Sequence, residues 1–333
     1  KYDELNQKVF ANILKPEKKI IIDNIKAYND EQGLALDEFE ISYLEKLSKK
    51  IGRSLSDSEV YGFSQVNSEH CRHKIFNGKF IIDGIEKKES LFSLIKNTSK
   101  ANKNGIVSAY SDNVAFIKGP NIVQFQPKFS DKSSFYVNKE INSIISLKAE
   151  THNFPTTVEP YNGAATGSGG EIRDRASGGT GSIPLIGSAV YMTPYSRLDN
   201  NKPWEKNISE RIWKYQTPVD ILVKASNGAS DFGNCFGQPL IVGSLFTFEH
   251  NENNNLQSFD KVIMLAGGVG FGELSQAMKR TPEKGDIIVL LGGDNYRIGM
   301  GGASVSSTDT GSYNDAIELN AVQRSNPEMQ KRV

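Results

Sequence analysis

The stretch Gly163-Ala-Ala-Thr-Gly-Ser-Gly-Gly-Glu-Ile-Arg-Asp174 (GAATGSGGEIRD) decides how the rest of the chain is read. Gly163, Ala164, Ala165, Thr166, Gly167, Ser168, Gly169 and Gly170 are all small. Small residues let the backbone approach a bulky partner closely, and successive free N–H groups form an anion nest. A helix opening near Glu171 would point its positive end into that nest. Arg173 can fork onto a phosphate or carboxylate, and Glu171 and Asp174 are hard oxygen donors suited to Mg²⁺ beside a polyphosphate. The familiar short patterns do not fit. No Gly-Lys-Ser/Thr occurs here, and Ile172 stands where a dinucleotide fingerprint requires glycine. Taken alone, the stretch leaves a phosphate cradle and a flexible surface loop both open.

Just upstream, the apolar run SIISL predicts a strand that leads into Lys148-Ala-Glu150-Thr151-His152-Asn153-Phe154-Pro155. A strand end is a common place to hold a ligand. This one offers an ammonium, a carboxylate, an imidazole and an amide close to the glycine stretch. A nucleotide held by the glycines could place its terminal phosphate near Glu150 and His152. The structural alternative is that His152 and Asn153 satisfy a turn before Pro155.

Outward from this centre, apolar residues Leu36, Phe39, Tyr43, Leu44, Leu47 and Ile51 recur at helical spacing and stop at Gly52. A second helix is announced by a capping box, Ser56 with Glu59. Its apolar face runs Val60, Phe63, Val66 and on to His70, so the segment NSEHCRHK (67–74) reads as that helix's C-terminal end with His70 on the buried side. KFIIDGIEKK predicts a hairpin about Asp83-Gly84, and SLFSLIKNTS a helix near 90–99. IVSA, VAFI, NIVQFQP, IPLIGSAVYM, PLIVGSLFTFEH, KVIMLAGGVG and DIIVLLGG predict strands. The polar, proline-flanked 194–217 is a boundary, and AIELNAVQRSNPEMQKRV approaches a helix. The reading is α+β: connector 1–33, helical linker 34–74, a first domain 75–205 with a mixed or antiparallel sheet, and an incomplete second domain 206–333.

The chain has 333 residues and formal net charge zero, so no global field steers it onto nucleic acid or an anionic membrane. Two cysteines in so long a chain are no disulfide framework, which points to a reducing cytosol. The N-terminus lacks a signal-peptide shape, and no apolar run approaches the ~18 residues of a membrane span.

His70, Cys71 and His73 could suggest zinc. However, His70 and Cys71 are adjacent on a helix and diverge by about 100°, and no second Cys/His pair stands at finger spacing. A satisfied helix-end histidine and an active-site histidine remain open. Asn227 to Pro239 (NGASDFGNCFGQP) suggests either a tight polar loop packed against a partner or a plain connection into the next strand.

NSEHCRHKIFNGKFIIDG, SAYSDN, KAETHN, PYNGAATGSGGEIRD, SNGASDFGNCFGQP, IMLAGGVG and VQRSNPEMQKR occur in this order. Together they resemble the phosphoribosylformylglycinamidine synthase family in its large, single-chain form, from about residue 35 onward. The resemblance implies an aminoimidazole-ribonucleotide-synthetase-like, barrel-forming first domain and a cytoplasmic ligase of purine biosynthesis. Formylglycinamide ribonucleotide would become the amidine at the expense of ATP, with Mg²⁺ and with ammonia from a glutaminase domain.

It implies His70 and His152 as catalytic residues, His152 as proton acceptor. Lys148, His73 and the segment Gly163, Ala164, Ala165, Thr166, Gly167, Ser168, Gly169, Gly170, Glu171, Ile172, Arg173 and Asp174 would contact ATP. Thr151, His152, Asn153, Arg173 and Gln323 would contact substrate, and Glu150 and Asp174 would bind the metal. Phe154 departs from the family's usual histidine, and His73 stands where the small form has tyrosine. The resemblance further implies a fragment lacking the second synthase-like half and the glutaminase domain, with little activity alone and exposed strands available for self-association. Aminoimidazole ribonucleotide synthetase, selenophosphate synthetase and a non-catalytic nucleotide-holding half are the competing readings. The EHC and ETHN segments oppose the first two, and the set His70, His152, Glu150 and Asp174 opposes the third.

Overall fold

The computed structural model describes residues 17–198, 202–259, 261–291 and 297–333. The N-terminal part of the expected connector (1–16) and the two glycines closing DIIVLLGG lie outside the described residues.

A small helical unit comes first: β1 (Ile21–Ile22), α1 (Ile25–Gln32), α2 (Glu38–Ile51), β2 (Leu55–Ser56) and α3 (Asp57–Val66). The expected capping box at Ser56 and Glu59 is present, and Asp37 with Glu40 forms a second one at the start of α2. Gly52 ends α2 at φ 70°, the left-handed conformation that glycine takes without a Cβ penalty. The core of this unit is Ile22, Ile25, Leu34, Leu36, Ile41, Leu44, Leu55 and Val60. Phe39, Tyr43 and Ile51, expected on the apolar face of α2, are exposed instead. The buried stripe is rotated towards Ile41 and Leu44, because that side meets β1, β2 and α3.

Next come α4 (Glu69–Arg72), α5 (Lys74–Asn77), the hairpin β3 (Ile81–Ile82) and β4 (Ile85–Glu86), and α6 (Leu91–Ala101). Asp83 and Gly84 both have positive φ, as the predicted hairpin requires. The expectation for His70 fails. The helix begun at Ser56 stops at Val66, α4 is a separate turn, and His70 is exposed.

The main sheet is built from β5 (Ile106–Ser108), β6 (Ala115–Pro127), β7 (Tyr136–Thr151), β8 (Ile183–Thr193), β9 (Leu240–Thr247) and β12 (Ile263–Glu273). Its strand order is β5-β6-β7-β12-β8-β9, open at β5 and β9. All neighbours are antiparallel except β8 and β9, a parallel pair joined by the crossover helix α9 (Pro218–Phe236). A hairpin, β10 (Glu249–Glu252) and β11 (Asn255–Ser258), stands apart. The mixed α+β class is as expected. Among the described residues β5 and β9 are not paired with each other, so the six strands of this half form an open sheet.

Two helices follow β7: α7 (Asn153–Val158) and α8 (Pro160–Ala176). Here the decisive stretch is overturned as a loop, since Gly163 to Asp174 lies wholly inside α8. Pro160 opens the helix at its first turn, and the Glu159 side chain accepts from the Asn162 N–H at 3.2 Å. Four glycines cost an isolated helix about 1 kcal/mol each relative to alanine. They are present because neighbours come too close for a side chain. A Cβ on Gly169 would stand 2.6 Å from the Phe232 ring, and one on Gly167 would stand 3.0 Å from Met264 Sδ. The polar loop expected at 227–239 is likewise mostly helix. Asn227 to Phe236 completes α9, where the small residues Gly228 and Gly233 admit the Tyr161 and Gln238 backbones.

The chain ends with α10 (Gly302–Val305), α11 (Asp315–Asn320) and α12 (Pro327–Arg332). Phe154, Val158, Val305, Ala321 and Val322 form one core between α7 and these helices. The strand expected at DIIVLLGG is not formed among the described residues. Ile287 to Leu291 are unpaired and 62–97% exposed, because no neighbouring strand offers its backbone to them.

Candidate functional site

Lys148 and Glu150 are two apart on β7, so their side chains leave the same face of the sheet. Helix α8 lies over that face. On α8, Gly163, Gly167, Gly170 and Asp174 follow a 4-3-4 spacing, which makes one stripe of a 3.6-period helix. A Cβ at Gly163 would strike the Pro155 backbone, one at Gly167 would lie 3.1 Å from His152 Cβ, and one at Gly170 would overlap Glu150 Oε1. The stripe therefore lets β7 and the following turn press against α8, and Asp174 continues it.

The result is a compact charged cluster. Lys148 Nζ lies 2.8 Å from Asp174 Oδ2 and 3.2 Å from Glu150 Oε2, and all three side chains are largely buried. Burial alone would lower the ammonium pKa, but the two carboxylates outweigh it and hold Lys148 above its usual value. Asn113 Nδ2 donates to Asp174 Oδ1 at 3.5 Å. Arg173 Nη1 donates to Gln330 Oε1 at 3.3 Å, tying α12 to the site. Burial pushes the Arg173 guanidinium down, against the pull of Glu150 and Asp174.

His152 follows β7, and its N–H donates to the Met264 carbonyl at 2.8 Å. Its Nδ1 is shut away from solvent without a hydrogen-bond partner. Burial first, and then the nearby charges of His70 and Arg173, push the imidazole down to about 4, with a backbone hydrogen bond at Gly163 opposing. His70 and His152 are thus brought within electrostatic reach of each other. The α4 turn that carries His70 is set by two carboxylates. Glu40 accepts from Asn67 Nδ2 and Lys74 Nζ, both at 2.6 Å, and Glu69 accepts from the Ile75 N–H at 3.2 Å. His73 sits in the left-handed region at φ 49° and stacks on Phe92 at 5.9 Å.

The other expected residues divide. Thr151 and Gln323 are exposed, and none of the polar contacts just described involves them. The Asn153 amide oxygen accepts from the Met264 N–H at 3.2 Å, which gives it a structural task. Gly163, Ala164, Ala165, Thr166, Gly167, Ser168, Gly169 and Ile172 are buried in α8, whose backbone N–H groups serve the helix, so no anion nest exists there. Glu171, read from the sequence as a metal ligand, is buried and bonded to Arg175 and Gln238. Phe154 is a core residue. Asn113 and Gln330 join the cluster without having been singled out. The 4-3-4 stripe behind Pro160 was the signal that could have revealed the helix and its outward face.

The donor set suits a metal that arrives with a polyphosphate. Glu150 and Asp174 supply two carboxylates, and Mg²⁺ commonly uses one or two together with substrate phosphates. No group of three or more metal-binding side chains occurs among the described residues. Beside Asn113 and Lys148 opens a cleft of about 550 Å³, lined in part by Phe92, Tyr110 and Leu147.

Residues 25–74 match the family described as the formylglycinamide ribonucleotide amidotransferase linker domain. That range begins upstream of the expected boundary at 34 and, like the first core, takes in Ile25. The chain is 38% identical over 312 residues to phosphoribosylformylglycinamidine synthase of Dictyostelium discoideum, covering 93% of this chain and 23% of that protein. Among solved structures, Thermotoga maritima PurL complexed with FGAR is 23% identical, over 87% of this chain and 36% of the other, with TM-score 0.44. The same protein complexed with ATP matches 69% of this chain and 27% of the other at 24% identity, with TM-score 0.33. The family match covers the linker alone, residues 25–74. Over most of its length the chain is similar to phosphoribosylformylglycinamidine synthase, and it spans about a quarter of that protein's length.

Proposed function

We propose that this chain supplies the nucleotide-handling part of an enzyme that converts formylglycinamide ribonucleotide to its amidine with ATP and ammonia. The observation that carries the reading is the cluster Lys148–Glu150–Asp174, flanked by Arg173 and by a neutral His152.

In the reaction, the substrate amide oxygen attacks the terminal phosphorus of ATP, ADP leaves, and ammonia then displaces phosphate from the activated carbon. Mg²⁺ held by Glu150 and Asp174 would neutralise charge on the transferring phosphoryl group. Lys148 sits between those carboxylates and is placed to follow the phosphate charge as it moves. Arg173, desolvated beside them, offers a planar fork to an anionic oxygen. His152 stays uncharged at neutral pH. That is the state needed to accept a proton released when ammonia adds. His70, on its own short turn, lies within electrostatic reach of His152. Within Gly163 to Asp174 only Gly170, Arg173 and Asp174 are open enough to meet a ligand, so the proposed nucleotide contact is assigned to these three and Lys148. Thr151 and Gln323 are assigned to the substrate side.

Ammonia would come from a glutaminase domain, and a second synthase-like half would complete the site, in the cytoplasm. The exposed sheet residues Val123, Phe125, Tyr136, Ile241 and Leu245 would face that half or a second copy. In a second reading, a non-catalytic half merely holds a nucleotide. The observation favouring it is that Lys148 already neutralises both metal carboxylates. Calorimetric titration with Mg²⁺-ATP, with and without formylglycinamide ribonucleotide, tests both readings. Saturable binding weakened by Asp174→Asn supports a nucleotide site here, and loss of turnover with retained ATP binding in His152→Ala supports catalysis. Unchanged turnover in His152→Ala would leave only the holding role.

A further inference from the structure

Helix α10 packs against α3 and α4, although they are distant in the chain. One side chain makes the join specific. Gln65, in the last turn of α3, meets Ser304 with both ends of its amide. Its Nε2 donates to Ser304 Oγ at 2.8 Å, and its Oε1 accepts from the Ser304 N–H at 3.3 Å. Ser304 itself is buried. Helix α10 starts at Gly302 behind Gly301, and no side chain of its own caps it. The first N–H groups of a helix have no partner within the helix, so Gln65 supplies from α3 what α10 lacks. Gly301 permits the approach, since a Cβ there would stand 2.5 Å from the Tyr61 hydroxyl.

The backbone of Gln65 holds the turn that carries His70. Its carbonyl accepts from Ser68 Oγ at 2.8 Å. Ser68 is buried at the N-cap of α4, yet its hydroxyl does not cap that helix. The hydroxyl turns back to Gln65, while the Ser68 carbonyl accepts from the Cys71 and Arg72 N–H groups at 3.2 and 2.9 Å. His70 is exposed, so the backbone of this turn sets its place. The loop leading into α10 also backs the substrate side. The Gly299 N–H donates to the Asn320 carbonyl at 2.6 Å, and a Cβ on Gly299 would stand 2.5 Å from Gln323 Cγ.

We infer that Gln65 is a positioning residue for the proposed reaction. Through Ser304 it hangs the His70 turn from α10, so the segment that backs Gln323 also sets where His70 stands. Glu40 grips the same turn from α2, through Asn67 and Lys74. The two anchors come from different parts of the chain and together fix one placement. The inference rests on the catalytic reading of His70 and adds what holds it in register with Gln323.

Gln65→Met keeps the side-chain volume and removes both contacts to Ser304. In the intact protein, with ammonium as the nitrogen source, it is expected to lower kcat about tenfold to a hundredfold, the scale on which small misplacements act. KM for Mg²⁺-ATP should not change. Gln65→Glu keeps an acceptor for the Ser304 N–H and hydroxyl and should recover most of the rate. In a His70→Ala background Gln65→Met should cost nothing further, because a residue that acts through another has no effect once the other is gone. Amide exchange at Arg72, His73 and Ile75 should speed up in Gln65→Met, while α2 and the main sheet keep their protection. Ser304→Ala removes a single hydroxyl and should show the same pattern more weakly if Gln65→Met does not fold. Unchanged exchange in α4, or faster exchange there with unchanged kcat, would overturn the inference. An equal further loss in the His70→Ala background would mark a general structural effect and overturn it too. If His70→Ala turns over like the parent, the catalytic reading of His70 fails, and faster exchange in Gln65→Met would then leave Gln65 a structural clamp alone.

Discussion

Replacing Arg175 with methionine is the most direct test of how α8 is held. Arg175 is fully buried, and its Nε donates to Glu171 Oε2 at 2.8 Å. Its Nη2 reaches the same carboxylate and the Gln238 amide oxygen, while Gln238 Nε2 donates to Glu171 Oε1 at 2.7 Å. Gly268 on β12 and Gly187 on β8 leave the room, since a Cβ on Gly268 would collide with the guanidinium and one on Gly187 would stand 2.7 Å from Gln238 Nε2. At about 100° per residue Glu171 and Arg175 lie about 60–100° around α8 from Asp174, so anchoring them fixes the rotation that turns Gly170, Arg173 and Asp174 into the site. Arg175→Met strands a buried carboxylate with only Gln238 as partner. Breaking a buried pair in this way costs about 3–5 kcal/mol.

The pH dependence has a definite sign. Burial raises the Glu171 pKa even with Arg175 opposing it, so removing Arg175 raises it further. A carboxyl whose folded pKa is raised favours the folded state at low pH and loses that contribution as pH rises through the folded value. The variant should therefore lose stability as pH rises towards neutrality. Glu171→Gln combined with Arg175→Met removes both charges and should recover most of the loss. Denaturant unfolding at several pH values, with amide exchange read in α8, measures this. A single-variant loss below about 1 kcal/mol at neutral pH, or a double variant no more stable than the single, would refute the reasoning.

Other expectations follow from the same geometry. Gly170→Ala should gain up to about 1 kcal/mol in helix propensity yet weaken Mg²⁺-ATP binding, because its Cβ displaces the Glu150 carboxylate; calorimetry and unfolding read the two effects separately. The His152 imidazole, held at about 4 against 6.5 in the unfolded chain, contributes stability above pH 6.5 that is lost as pH falls towards 4. The loss is about 3 kcal/mol at most. NMR titration of His152, and a flatter acid limb in His152→Phe, check it. Phe154→Ala should cost about 3–5 kcal/mol, because it opens a cavity among Val158, Val305 and Val322; chemical unfolding reads the loss.

Much of this was legible in the chain itself. The strands β5 to β9 and β12, the cap at Ser56, the Gly52 stop and the Asp83-Gly84 turn are local events, set by side-chain alternation, a hydroxyl beside free N–H groups, and glycine's tolerance of positive φ. Lys148 and Glu150 could be placed on one face from their spacing alone. The glycine helix could not be read the same way, because its intrinsic propensity is poor and it is stable only where β7, β12 and α9 close in on it. That closeness turned nine expected ligand contacts into buried positions and left Asp174, Arg173 and Gly170 facing the site. Ile287 to Leu291 show the converse. The run has a strand's composition, but a strand also needs a partner's backbone, and none lies beside it among the described residues. The sequence by itself determined which segments favour helix or strand, and which chemical groups were at hand. Tertiary packing decided which of those groups meet, since contact between distant residues depends on how closely whole elements can approach.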